Sequence, residues 1–91
     1  MDQPKSPSYT IFTTAAGTHI VGEEIGRKDG IIELKWAHFI EIHPSMTRFN
    51  LQAIRYVDPQ KTFMLYQSAL LGEQELPEIM RADFERAVAQ K

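Results

Sequence analysis

The run Ala16-Gly17-Thr18-His19-Ile20-Val21-Gly22 places two glycines five positions apart in an otherwise strand-like stretch. Glycine brings no packing side chain to a strand, so inside such a pattern it marks a tight turn, a bulge or a sharp bend. Asp29-Gly30 follows, a pair that readily adopts the positive φ values of a hairpin turn. The next segment, Ile32-Glu33-Leu34-Lys35-Trp36, alternates with period two. Together these read as a hairpin turn at Gly17, a strand bent at Gly22 and a second reversal over 26–30 ending at Gly30. Such a sequence opens a small, strongly curved antiparallel barrel.

The first strand is 8–15, with Tyr9, Ile11 and Thr13 on one face and Thr10, Phe12 and Thr14 on the other. The second returns over 18–25. Ile32, Leu34 and Trp36 then share the apolar face of a third, with Glu33 and Lys35 opposite. The segment 38–61 reads as an extended central hairpin. Phe39-Ile40-Glu41-Ile42 is strand-like, Pro44-Ser45 interrupts it, Phe49, Leu51 and Ala53 alternate, and Asp58-Pro59 interrupts again. A second register makes 48–57 the fourth strand and 62–71 a single long fifth; either choice gives a five-stranded barrel core, and the two differ in where the excursion ends. After Gly72 the period becomes helical, with Met80, Phe84 and Val88 on one stripe, which predicts a helix over about 77–90 that packs on the barrel or on a neighbouring subunit.

Ninety-one residues, 43% of them hydrophobic, predict one domain, 8–91, with the barrel over 8–72 and a flexible polar arm over 1–7. A barrel of that size is marginal on its own core, so oligomerisation is the expected source of further stability. There is no cysteine, hence no disulfide framework, and no long apolar run that would cross a membrane as a helix. Between residues 8 and 72 the six acids, Glu23, Glu24, Asp29, Glu33, Glu41 and Asp58, balance six bases, Arg27, Lys28, Lys35, Arg48, Arg55 and Lys61. From Glu73 onward five acids face three bases, which accounts for the net charge of −2. A neutral barrel with an acidic tail has no general attraction for polyphosphate, so any nucleic-acid contact must be local.

The order of these features resembles the Sm-like (LSm) family, which includes the bacterial Hfq proteins. Its first motif runs strand, Gly, four residues, Gly, then an acidic turn into a third strand. Phe63-Met64-Leu65-Tyr66-Gln67-Ser68-Ala69-Leu70-Leu71 is similar to its second motif, in which a strand ends at a polar corner and a last strand follows. The likeness covers 9–37 and 62–72, and the middle excursion and C-terminal helix most resemble divergent Sm-like proteins of marine bacteriophages.

The resemblance implies a five-stranded, strongly bent barrel assembled into a homo-oligomeric ring, in the cytoplasm of a host cell if phage-encoded. Gly17, Gly22 and Gly30 would be its structural glycines. Phe63, Met64 and Leu65 of one subunit would pair with Ala69, Leu70 and Leu71 of the next. By position, the RNA-facing residues would be Trp36, Tyr66, Gln67 and Ser68. The family's cations at that corner are replaced here by Gln67 and Ser68, while Trp36 is also read as a core residue beside Ile32 and Leu34.

No catalytic signature is present: there is no nucleophile elbow and no phosphate-binding glycine loop. His19 with Glu23, and Glu41 with His43, share strand faces, but two ligands do not close a metal site. The expectation is therefore a protein without catalysis, metal or cofactor, either a ring that binds single-stranded RNA weakly or a purely structural assembly module.

Overall fold

The computed structural model describes residues 8–45 and 48–89. The arm at 1–7 and the last residue of the expected helix, Gln90, lie outside the described residues. Among the described residues six strands occur in chain order: β1 (Tyr9–Thr14), β2 (His19–Lys28), β3 (Ile31–Ile42), β4 (Phe49–Ala53), β5 (Phe63–Tyr66) and β6 (Leu70–Glu75). A 3₁₀ turn, Gln67–Ala69, joins β5 to β6, and one helix, α1 (Glu78–Ala89), ends the chain. The sheet is antiparallel in the order β4-β3-β2-β1-β6, with β5 also paired to β3. The protein is thus mainly β, a curled half-barrel with a C-terminal helix.

Six strands exceed the expected five-stranded core by one, β4, which is the second arm of the central hairpin whose first arm continues β3. β3 pairs β5 through Ile31–Leu34 and β4 through His38–Ile42, so two short strands share the edge of β3 that β2 leaves open. They are separate because β3 bends between them. Trp36 has φ 62, and the β2–β3 register shifts across Gly22, so β3 carries an extra residue opposite Gly22 and turns sharply there. A Cβ on Gly22 would lie 3.2 Å from the Lys35 carbonyl oxygen and 3.3 Å from Leu34 Cβ. Glycine is what lets the strands approach so closely at the bend.

The bulge also corrects the face assigned to Trp36. The extra residue inverts the alternation, so Ala37 and Phe39 continue the side of Ile32 and Leu34. Trp36 instead packs, half-buried, against the opposite cluster.

The other two glycines take the turn roles expected of them. Gly17 has φ 88, and its N–H donates to the Thr14 carbonyl. Asp29 and Gly30, at φ 53 and 77, form a two-residue turn with both central residues left-handed, the geometry that matches strand twist in a tight hairpin. β2 therefore runs to Lys28, three residues beyond its expected end at 25. Gly72, taken as the end of the barrel, lies inside β6 opposite Thr13. Pairing with β1 carries that strand on to Glu75, and Leu76-Pro77 ends it.

Both sheet faces are covered. Phe12, Ile20, Ile32, Leu34, Ala37 and Leu65 form one cluster. β1 and β5 meet there without being neighbours in the sheet, which only a curled sheet allows. The other face presents Tyr9, Ile11, Val21 and Ile40 to Met80, Phe84 and Val88 of α1. This two-sided burial explains why β1 is apolar on both faces. The helix is fixed further by polar contacts: the Tyr9 hydroxyl donates to Glu85 Oε2 at 3.1 Å, and the Tyr9 and Phe84 rings meet edge to face at 4.7 Å.

Candidate functional site

The corner after β5 is built from a short strand that stops and a 3₁₀ turn that redirects the chain. Tyr66 is still extended, at φ −79 and ψ 126, and caps the turn Gln67–Ala69. Two backbone bonds fix the turn in space. The Gln67 N–H donates to the Gly30 carbonyl at 2.8 Å, and the Ala15 N–H donates to the Ala69 carbonyl at 2.9 Å. The corner is thereby fastened to both hairpin turns, at Gly17 and at Asp29-Gly30. Tyr66, opposite Ile31 in the β3–β5 pairing, is 64% exposed, and Gln67 and Ser68 are exposed beside it.

Tyr66, Gln67 and Ser68 thus form one exposed polar corner. Trp36 does not join them. It stands five residues along β3 from Ile31, about 16 Å at the rise of a strand. Its amide donates to the Pro59 carbonyl at 2.7 Å, and the Lys35 ammonium lies 5.3 Å from its ring centre. The residues brought to the corner instead are Lys28 and Asp29, flanking the turn whose Gly30 carbonyl accepts from Gln67. The Asp-Gly signal located that turn in the sequence; its meeting with the 3₁₀ turn follows from closure of the sheet.

The electrostatics are self-contained nearby. Arg27 donates through Nε and Nη2 to both carboxylate oxygens of Glu24, and through Nη1 and Nη2 to both of Glu73, at 2.7–3.2 Å. These bonds hold the Glu73 carboxyl below the usual carboxylate range and keep Arg27 charged. The cluster clasps the end of β2 to β6 and takes Arg27 out of play as a free phosphate ligand.

The residues expected at a subunit interface divide in two. Leu65 is buried in the curled core and Phe63 and Leu70 are half-buried, whereas Met64 (59% exposed), Leu71 (73% exposed) and Ala69 face outward. β5 pairs only with β3 and β6 only with β1, so each has an edge that no described strand covers.

The histidines are placed apart. His19 Nδ1 lies 3.0 Å from Thr13 Oγ1, His43 Nδ1 lies 2.9 Å from Ser45 Oγ, and the buried His38 has Nδ1 2.8 Å from the Trp36 carbonyl. Among the described residues no three His, Asp or Glu side chains cluster as a metal-binding group. An open groove between the Gly17 turn and the β3–β4 hairpin is lined by Thr13, His19, Glu41, Asn50, Gln52 and Gln74 among others. No helix among the described residues is long and apolar enough to cross a membrane.

Compared with known proteins, the chain matches no protein-family model and no curated protein.

Proposed function

We propose that this chain is a non-catalytic subunit of an Sm-like homo-oligomeric ring that binds single-stranded RNA weakly. The observation that carries this reading is the pair of uncovered strand edges, β5 and β6, on either side of the exposed corner Tyr66-Gln67-Ser68. Adding a neighbour's strand to each of these two edges satisfies them, leaving the outer edge of β4 as the one still open among the described strands, and repetition closes a ring that sets the corners side by side. Each corner offers one exposed ring for stacking and uncharged groups that can meet a base edge.

A second reading, a structural ring without RNA, is favoured by the charge at the corner. Arg27 is engaged by Glu24 and Glu73, so Lys28 is the one cation beside the turn without an ion pair among the described residues. A filter-binding titration of short uridine- and adenine-rich RNAs across salt concentrations separates the two. Weak binding with a shallow salt slope, strengthened and steepened by Gln67→Lys, supports RNA binding. An intact ring that binds nothing, either as the natural chain or with Gln67→Lys, leaves the structural reading.

A further inference from the structure

Among the described residues three besides glycine adopt left-handed backbone: Asp29, Trp36 and Tyr56. Asp29 makes a hairpin turn and Trp36 makes the bulge that bends β3. Tyr56 has no such duty that requires its side chain.

The excursion 54–62 between β4 and β5 is an ordered pair of turns. The Val57 N–H donates to the Ile54 carbonyl at 3.1 Å, and the Lys61 N–H donates to the Asp58 carbonyl at 3.0 Å. In the first turn Tyr56, at φ 66, follows Arg55, which is not left-handed. That is the type II pattern, whose third position favours Gly or Asn on steric grounds. The loop is held from beneath by Ile54, which packs on the curled core, and by the Pro59 carbonyl bonded to the Trp36 amide. Tyr56 is nevertheless 98% exposed. Neither turn chemistry nor packing accounts for a tyrosine here, and a residue held against its backbone preference without burial points to a surface role.

The charges around it narrow that role. Arg55 and Lys61 are exposed, and neither pairs with a carboxylate among the described residues. Asp58, the sole acid in 54–62, is turned into its own loop, where Oδ1 accepts from the Gln60 N–H at 2.9 Å. The excursion therefore presents one bare aromatic ring together with two exposed cations that have no ion pair among the described residues. Ile54 and Val57 are half-buried, so the ring stands without an apolar surround. A stable protein interface needs about 800 Å² per partner around a clustered apolar centre. A single ring flanked by cations is instead what a nucleotide uses: a face for the base and charges for the phosphates.

We infer that the excursion 54–62 is a contact for single-stranded nucleic acid, with Tyr56 stacking one base and Arg55 and Lys61 holding the adjoining phosphates. The inference rests on the RNA-binding reading above and adds to the corner a second contact, on the excursion.

The test is binding of a short fluorescein-labelled uridine-rich RNA to the full chain, followed by anisotropy at several salt concentrations, with thermal melts of every variant. Tyr56→Gly is expected to weaken binding about tenfold, while its melting temperature holds or rises because glycine suits the turn. Tyr56→Phe keeps the ring and retains binding. Arg55→Ser with Lys61→Ser lowers the slope of log affinity against log salt by about 1.4, the share of two phosphates on a single strand, whereas Ala82→Ser, exposed on α1, leaves affinity nearly unchanged. Unlabelled duplex RNA, whose bases are already stacked, is expected to compete poorly. If the natural chain binds and Tyr56→Gly binds equally well, the contact lies elsewhere and the RNA-binding reading survives. If the natural chain does not bind even at low salt, both fall.

Discussion

Gly22 sits where β2 and β3 approach most closely, and the room it leaves is taken by the Lys35 carbonyl and Leu34 Cβ, at 3.2 and 3.3 Å from where a Cβ would stand. Since one of these neighbours is backbone inside a bulge, it cannot swing aside. Gly22→Val is expected to destabilise the fold by about 1–3 kcal/mol, the usual cost of overpacking, read as a lower melting temperature. Gly26→Ala, whose Cβ would meet only Glu33 Oε2 at 3.9 Å, is the matched control and should change little. An unchanged melting point for Gly22→Val would remove the bend from the account of the fold.

The role of Gly22 was legible because glycine in a strand has few uses. The face of Trp36 was not, since Ile32-Glu33-Leu34-Lys35-Trp36 alternates without a flaw and the residue that breaks the period is the tryptophan itself. A bulge forced by closure of a sheet leaves no mark on the pattern of the strand that carries it. Tyr9 provides a further test. Burial first, and then its bond to Glu85, raise its hydroxyl from the usual 10 to about 12. The folded state therefore favours the protonated phenol. The stability this brings is complete below pH 10 and is lost as pH rises toward 12, because the unfolded chain ionises first. Tyr9→Phe should lose much of that alkaline sensitivity in melts taken across the interval, while remaining folded near neutrality.

At the scale of elements, α1 docks through a stripe of three buried residues one turn apart, Met80, Phe84 and Val88. The fully buried Phe84 touches both the Tyr9 ring and, at 6.4 Å between centres, that of His38. Phe84→Ala is expected to cost about 3–5 kcal/mol. In a domain this small, that should appear as a large fall in melting temperature for the sheet as well as the helix. Loss of helical signal alone, with the sheet melting unchanged, would mean that the outer core is not shared. This helix could be read from its period because its face is decided within the element. The far half of β6 could not, because Glu73-Gln74-Glu75 carries no apolar alternation and those residues are strand only because β1 supplies their backbone partners. The same applies to β4 and β5. Asp58-Pro59 separates them in the sequence, but that both pair with one edge of β3 depends on the bend in β3, which no periodicity over 48–71 records.

For the whole molecule, the proposed assembly turns on the uncovered edges of β5 and β6. Met64, Tyr66 and Leu71 are exposed apolar or aromatic side chains on or beside those edges, and the net charge of the chain is only −2, so repulsion between copies is small. An open edge with apolar neighbours recruits another chain, and antiparallel pairing of one subunit's β5 with the next subunit's β6 would satisfy both edges at once. Light scattering at micromolar concentration is therefore expected to give an integral multiple of the 10.5 kDa subunit mass that persists on dilution. Leu71→Lys places a charge on the β6 edge at a side chain that is 73% exposed within the subunit, so the fold itself has little to lose from it. The variant should run at monomer mass with an unchanged strand signal in circular dichroism and a lower melting temperature, because a barrel of this size draws on its neighbours for stability. Thr62→Lys, beside β5 but outside both strands, should keep the assembly. If the natural chain is a stable monomer under these conditions, the edges are simply solvated and the ring is lost. If it is an oligomer that Leu71→Lys leaves intact, the subunits join through another surface, and the corners need not face one another as the proposed RNA site requires.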